Sequence, residues 1–446
     1  MSTQSLGNEF AAIADELWET ASKEETDQQL RRSSRSAGME SLHLQIVEED
    51  GVRYVEEGPS RNRSRSPAPP RRRASSRGTR ADLLVDVALP KLEPSNVSAA
   101  LRAADVRCND YLALDKRRFG ALREISLNPK TARARFLNLR GPVADGSKIL
   151  LFVHGTFSET PSFFDGFANL SKAERQTLYA WMSTHYDRIL GFDHPTLGLN
   201  PALNARRLHE ELGALPNAHI DVICHSRGGL VTRWWMEGFD AGPATRRRAL
   251  FVGAPLNGTG LAAPANIRAT LSLLLSYTDA LVTRPLRWAG AVFPAAGIVS
   301  TLFQVVTSVT SLAVKSPAID AAIALVPGLN AMSRTSNNLE LQAGRRIAEV
   351  RERYYFVQSN FETEDVGWKF WRHFRRDQLI NTAADTVFAG KNDLVVDLTS
   401  MTDLTDARAA TTIPKSQVLD FGTNADVHHT NYFSHPSTAA WIRDVF

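Results

Sequence analysis

From residue 147 onward, short apolar runs alternate with amphipathic stretches. KILLFVHG, RILGFDHP, HIDVICH, RALFVGAP, RYYFVQSNF, ADTVFAG and QVLDFG each read as a strand that is apolar on both faces. Between them, Asn200-Pro201 opens a helix, with Asn as N-cap and Pro at the first position, and with Leu203, Leu208 and Leu212 on its inner side. GGLVTRWWMEG follows HIDVICH as a further helix. Strands apolar on both faces that alternate with helices predict an α/β class: a doubly wound, mostly parallel sheet covered on both sides.

Upstream the texture changes. Phe10, Ile13 and Leu17 recur at helical spacing within 9–23 and predict a short amphipathic helix. LHLQIVEEDGVRYVEE, 42–57, reads as strand, Asp-Gly turn, strand: a small hairpin. Residues 60–80 hold eight arginines and no acid, and predict a disordered, solvated linker. Three parts are therefore expected: an N-terminal extension over 1–59, an Arg/Ser/Pro-rich linker over 60–81, and a main domain over 82–446. A helical cap over about 262–332 is expected as an insertion in that domain. Within it, Trp288 to Val314 carries no charge over 27 residues, long enough to cross a bilayer. Ser300, Gln304, Thr307 and Ser311 form a polar stripe opposite Ile298, Leu302, Val305, Val309 and Leu312, which favours an amphipathic cap or lid over a span.

Composition changes the picture little. The 446-residue chain is 43% hydrophobic and 22% charged, ordinary for a chain that buries a core. Removing the eight linker charges from the net +4 leaves about −4, so the basicity is local. It suits an acidic partner or an anionic lipid surface at the linker rather than a nucleic-acid-binding domain. Two distant cysteines, Cys108 and Cys224, offer neither a disulfide framework nor a zinc spacing. With no secretory pattern at residue 1, a reducing, cytoplasmic setting is the expectation.

Candidate chemistry collects at strand ends, where the loops of a doubly wound sheet converge. Ser226 ends HIDVICH and begins a helix, as in a nucleophile elbow, G-x-S-x-G. Gly228 supplies the second small position and Cys224 stands at the first, where its small side chain is tolerated. The helix N-terminus beneath Ser226 favours developing negative charge. His154-Gly155-Thr156-Phe157 follows the first long strand, and its turn aims backbone N–H groups over the sheet edge. The Thr156 and Arg227 N–H groups are the candidate oxyanion hole. Asp393, after ADTVFAG and before an apolar shoulder, is the candidate acid. Asp397 is second choice, and could instead cap the next helix. His429, in H-T-N-Y-F, is the candidate base, with His428 as second choice and His435-Pro436 read as the start of the last helix.

LLFVHGT, ICHSRGGLVTR, FVGAPLNGTGL, and KNDLVV followed by HHTNYF together resemble the lipase/esterase branch of the α/β-hydrolase superfamily. More narrowly, FDHPT, CHSRGG and HTNYF resemble a bacterial lipase-like family. The resemblance covers about 147–446 and implies Ser226 as nucleophile, His429 as base and Asp393 as acid. It departs at Cys224 and at the aromatic, basic insert TEDVGWKFWRHFRRDQL. The function expected is a serine hydrolase acting on carboxylic esters with a lipid-like acyl chain, with no metal or cofactor. The apolar cap would line the acyl site or make peripheral membrane contact. Two alternatives stay open: an acyltransferase using the same residues, and a hydrolase-fold binding or scaffold module.

Overall fold

The computed structural model describes residues 41–49, 52–58, 82–90 and, from 121 onward, all but 157, 197–198, 241–245, 263–326, 334–352, 363–390 and 405–412. The expected helix at 9–23, the linker, most of the cap and the strand ADTVFAG lie outside the described residues. The chain divides into two compact units.

One unit holds a three-stranded antiparallel sheet of β1 (Ser41–Glu49), β2 (Val52–Gly58) and β3 (Asp82–Pro90), in the order β2-β1-β3. Glu49 pairs with Val52, so the antiparallel pairing of β1 and β2 runs as the expected hairpin requires. Residues 82–90, expected at the start of the main domain, pair instead with β1 from Ser41↔Pro90 to Glu48↔Asp82. A strand partner distant in sequence leaves no mark on local texture, so periodicity alone could not assign it.

The second unit is built on an eight-stranded sheet. Its strands are β4 (Ala121–Asn128), β5 (Arg133–Asn138), β6 (Lys148–Val153), β7 (Arg188–Asp193), β8 (His219–His225), β9 (Arg247–Val252), β10 (Tyr354–Phe361) and β11 (Val418–Asn424), in the order β11-β10-β9-β8-β6-β7-β4-β5. The six from β6 to β11 are parallel, and the β4–β5 hairpin adds antiparallel at β7. Alternation along β6 divides the core. Ile149, Leu151 and Val153 pack on one face with Leu208, Leu212, Val231 and Trp235. Leu150 and Phe152 pack on the other with Phe163, Phe167, Met182 and Ile442. A sheet covered on both faces requires the continuous apolar runs seen in the sequence.

The covering helices follow their signals. On one face lie α1 (Pro161–Ala168) and α2 (Lys172–His185), and α2 opens on a capping box between Ser171 and Glu174. On the other lies α3 (Pro201–Leu212), where Asn200 Oδ1 accepts the Leu203 N–H at 2.9 Å. Leu203 itself is 47% exposed rather than inward. Five residues before Leu208, it lies about 140° around the helix, and Asn204 and Ala205 take the inner face. Next come α4 (Gly228–Trp234), extended by a π-helical turn at Trp235–Phe239, and the final α5 (Pro436–Val445), begun by His435 and Pro436. Sheet, helices and a strand–serine–helix turn together form the α/β-hydrolase fold.

One buried ionic group between helix and sheet is fully paired. Arg233 donates to both Glu237 carboxylate oxygens at 3.0 and 3.2 Å, and the Tyr354 hydroxyl donates to Glu237 Oε1 at 3.0 Å. Glu237→Ala strips a buried cation of its carboxylate. Urea denaturation is expected to show a loss of about 3–5 kcal/mol, against under about 1.5 kcal/mol for Leu203→Ala on the exposed side.

Candidate active site

Ser226 follows β8 directly and precedes the helical N-cap residue Arg227. Its φ of 53° is left-handed, a conformation a non-glycine residue holds only where its surroundings enforce it. The surroundings are visible. Its N–H donates to Val252 O at 3.0 Å, and its carbonyl accepts the Gly229 N–H at 2.9 Å. A Cβ on Gly155 would sit 2.7 Å from Ser226 Cβ and 3.3 Å from Ser226 Oγ. A Cβ on Gly228 would lie 2.2 Å from Val153 O. Both glycines are therefore needed for the elbow to seat against the end of β6. Cys224 is buried, its thiol 3.4 Å from Leu250 O; it packs beneath the turn, and burial pushes its thiol well up, so it stays neutral.

The His154-Gly155-Thr156 turn is held by its histidine. Nδ1–H of His154 donates to Gly155 O at 2.9 Å, and Nε2 accepts the His194 N–H at 3.0 Å. These partners fix one neutral tautomer. Within one trans peptide the carbonyl and the N–H point in opposite directions, so the Thr156 N–H faces away from the His154 ring. Burial, opposed by nearby Asp193, pushes His154 down to about 4. His194, stacked on it at 4.1 Å between ring centres, is also held well below its ordinary value by burial. Arg227, the second oxyanion candidate, has a buried side chain that donates to Leu199 O and, at 3.3 Å, to Gly328 O.

The described residues that flank 263–326 meet beside this turn. Thr259 and Ser333 form a bridge, and the Thr259 N–H donates to Met332 O at 2.8 Å. The Thr156 hydroxyl lies 3.8 Å from Met332 Sδ.

Asp393 is fully buried and its carboxylate has four donors. Oδ1 accepts the Val395 and Val396 N–H groups at 3.1 and 2.8 Å. Oδ2 accepts His429 Nδ1–H at 2.8 Å and the Tyr432 hydroxyl at 3.0 Å. Leu394, at φ 86°, folds the chain back so that the two valine amides reach the carboxylate. The loops are joined again by the His429 N–H to Asp393 O at 3.1 Å. His225, next to Ser226, donates from Nε2 to His429 O at 2.8 Å.

The second choices lie elsewhere. Asp397 stands at the N-cap position of the short helix Leu398–Met401, with no side-chain capping bond. His428 faces Thr430 Oγ1 at 3.1 Å and the edge of Phe361. His435 accepts the Ser437 N–H at 3.2 Å and caps α5, as its position before proline predicts. Sequence reasoning passed over His225, Gly253 and Tyr432, although all three lie inside quoted motifs. Among the described residues no cluster of three His, Cys, Asp or Glu side chains is arranged to hold a metal, and no helix is long and apolar enough to cross a membrane.

The buried histidines give the fold an acid sensitivity with a definite sign. His154 is depressed from an ordinary 6.5 to about 4, so the unfolded chain binds the proton first. Stability is full above about pH 6.5 and falls as pH drops toward 4, by up to about 1.4 kcal/mol per pH unit for this one group. Denaturation at pH 7.5 and 5.0 is expected to show a flatter pH slope for His154→Gln than for the natural chain, whatever its absolute stability.

Among solved structures, the chain is similar to lipase 1 from Pelosinus fermentans (13% identity, TM-score 0.39, covering 68% of this chain and 98% of that one). It is also similar to a metagenomic carboxyl esterase (20%, 0.33, 69% and 78%) and to a thermophilic esterase from Thermogutta terrifontis (14%, 0.30, 68% and 92%). These likenesses are distant, and the fold assignment stands on the sheet order and the serine turn. No curated protein matches the sequence. The pattern of one family, described as Domain of unknown function (DUF7379), matches residues 126–446, well over half of the chain. The chain belongs to that family.

Proposed function

We propose that this protein is a serine hydrolase that cleaves carboxylic esters through an acyl-enzyme, with Ser226 as nucleophile, His429 as base and Asp393 as the acid that orients the base. The observation that carries the reading is the 2.8 Å bond from His429 Nδ1 to Asp393 Oδ2, formed in a loop that His225, adjacent to Ser226, ties to the elbow.

With Nδ1–H engaged by Asp393, Nε2 of His429 is the ring atom that accepts the Ser226 hydroxyl proton. Ser226 Oγ bonds to the ester carbonyl carbon, and the displaced electron pair moves onto the carbonyl oxygen. The Thr156 and Arg227 N–H groups stabilise that oxyanion. Collapse breaks the C–O bond to the alcohol, which leaves with the proton from His429. Water repeats the sequence on the acyl-enzyme: His429 takes its proton, and returns one to Ser226 as the acid departs.

A lipid-like acyl chain is the substrate class we favour. Along the sequence, the uncharged stretch from Trp288 to Val314 falls within the insertion expected over about 262–332, and the described residues that flank it stand at the Thr156 turn. An apolar insertion rooted there suits a long acyl chain. Two distant cysteines suit a reducing compartment, so we place the activity in the cytoplasm.

Labelling of the full chain with a fluorophosphonate is expected to depend on Ser226. Equal labelling of Ser226→Ala would overturn the reading. Asp393→Asn is expected to lower kcat on the order of 10³–10⁴-fold with the fold intact, measured on a p-nitrophenyl ester. Across p-nitrophenyl esters of rising chain length, kcat/KM is expected to rise beyond butyrate; an optimum at acetate would remove the lipid-like assignment and leave the esterase.

A further inference from the structure

FVGAP and HTNYF each contain a residue that the proposed reaction leaves unused: Gly253 and Tyr432. The structure brings them together. Gly253 follows β9 with a left-handed φ of 54°, its N–H donating to Val357 O at 3.0 Å. A Cβ there would lie 2.8 Å from Tyr432 Cε2, 3.0 Å from Asp393 Oδ2 and 3.2 Å from His429 Nδ1. The space left by one absent methyl group is thus where tyrosine, carboxylate and imidazole converge. Tyr432 is fully buried, and its hydroxyl donates to the same carboxylate oxygen that receives His429 Nδ1–H.

We infer that Tyr432, seated over Gly253, is a positioning residue that shares Asp393 Oδ2 with His429 and so sets both the aim and the basicity of the base. Three observations carry this. First, the hydroxyl fills the last donor position on a buried carboxylate whose other oxygen already holds two amides, so the carboxylate is locked against rotation. Second, a donor to a carboxylate stabilises its negative charge, and the charge so held is less available to stabilise an imidazolium at His429. The tyrosine therefore lowers the basicity of the base while fixing its direction. Third, burial and the neighbouring Asp393 hold the phenol well above its ordinary value, so it remains a hydroxyl donor across the working range of pH.

The other groups acting here do not duplicate this effect. His225, from the end of β8, faces His429 with ring centres 4.8 Å apart; burial, together with His429, pushes it down to about 3, so it is neutral. His154 is held neutral by burial and acts on His225, and Asp420 on β11 acts on Tyr432. Met401 Sδ, 3.9 Å from the hydroxyl, is a weak alternative acceptor.

The inference rests on the assignment of Ser226 and His429 above, and its test separates the two. Tyr432→Phe keeps the ring and removes the donor. Replacement of Tyr432 by 3-fluorotyrosine keeps the shape and strengthens the donor. In ester hydrolysis by the full chain, the acidic limb of the kcat/KM profile is expected to move up by about half a pH unit in Tyr432→Phe and down in the fluorotyrosine protein. KM should change less than kcat. The His429 ring titration, followed by NMR and assigned with His429→Gln, should move in the same two directions. Limbs and ring titrations that stay in place, or that move the same way in both proteins, would overturn the inference. The NMR arm needs no activity, so it reports on Tyr432 even if Ser226→Ala retains hydrolysis and the esterase reading falls. The fluorotyrosine protein carries the test if Tyr432→Phe does not fold.

Discussion

The fold and the site depend on one steric constraint: the chain leaving the ends of β6, β8 and β9 meets its neighbours more closely than side chains permit. Gly155, Gly228 and Gly253 occupy the contact points, and a Cβ at each would lie within 2.2–2.8 Å of a neighbouring heavy atom. Because the strand ends close up, Ser226 is held in a left-handed conformation and the helix after it starts without a connecting loop. The Thr156 turn comes against the serine for the same reason. At Gly253, the loops that carry Asp393 and His429 come together over β9. Packing of this kind stores local strain at the C-terminal ends of the central strands, and the apolar sheet beneath supplies the stability that sustains it.

Upon this framework lies a buried polar layer that joins neutral histidines to a hydrogen-bonded carboxylate. His154, His194 and His225 are all held neutral by burial, and the first takes its tautomer from two backbone partners. Asp393 receives four donors. Such an arrangement is oriented by the fold itself, and a preorganised set of dipoles is worth most where water is excluded. The cost of this design is exposure to acid, since each neutral histidine must take up a proton on unfolding below its ordinary range.

The linear chain reveals some of these features and conceals others. The central strands were legible because burial on both faces imposes unbroken apolar runs, as in KILLFV, whereas QVLDFG, read as apolar on both faces, became the edge strand β11 and is partly exposed. Cap residues were legible where one side chain satisfies a nearby amide, as at Asn200 and His435. Leu203 was misplaced because leucine fits either side of a helix end, and only the neighbouring helix α4 decides which side is inner. The strand at 82–90 went to the small sheet because strand partners are chosen across the whole chain. Asp393 and Asp397 were both admissible in AGKNDLVVD; the bend at Leu394 turned the first toward His429 and left the second at a helix start.

Residue types and their order determined the α/β class, the strand–serine–helix turn, and a histidine and a carboxylate following in sequence, since each follows from local periodicity or from spacing along the chain. Tertiary structure alone decided which carboxylate meets His429, that Tyr432 shares its oxygen, that His225 ties the histidine loop to the elbow, and why Gly253 is glycine. Those relations join residues from tens to about two hundred positions apart. Distances across a folded sheet, rather than along the chain, bring them within a hydrogen bond of one another.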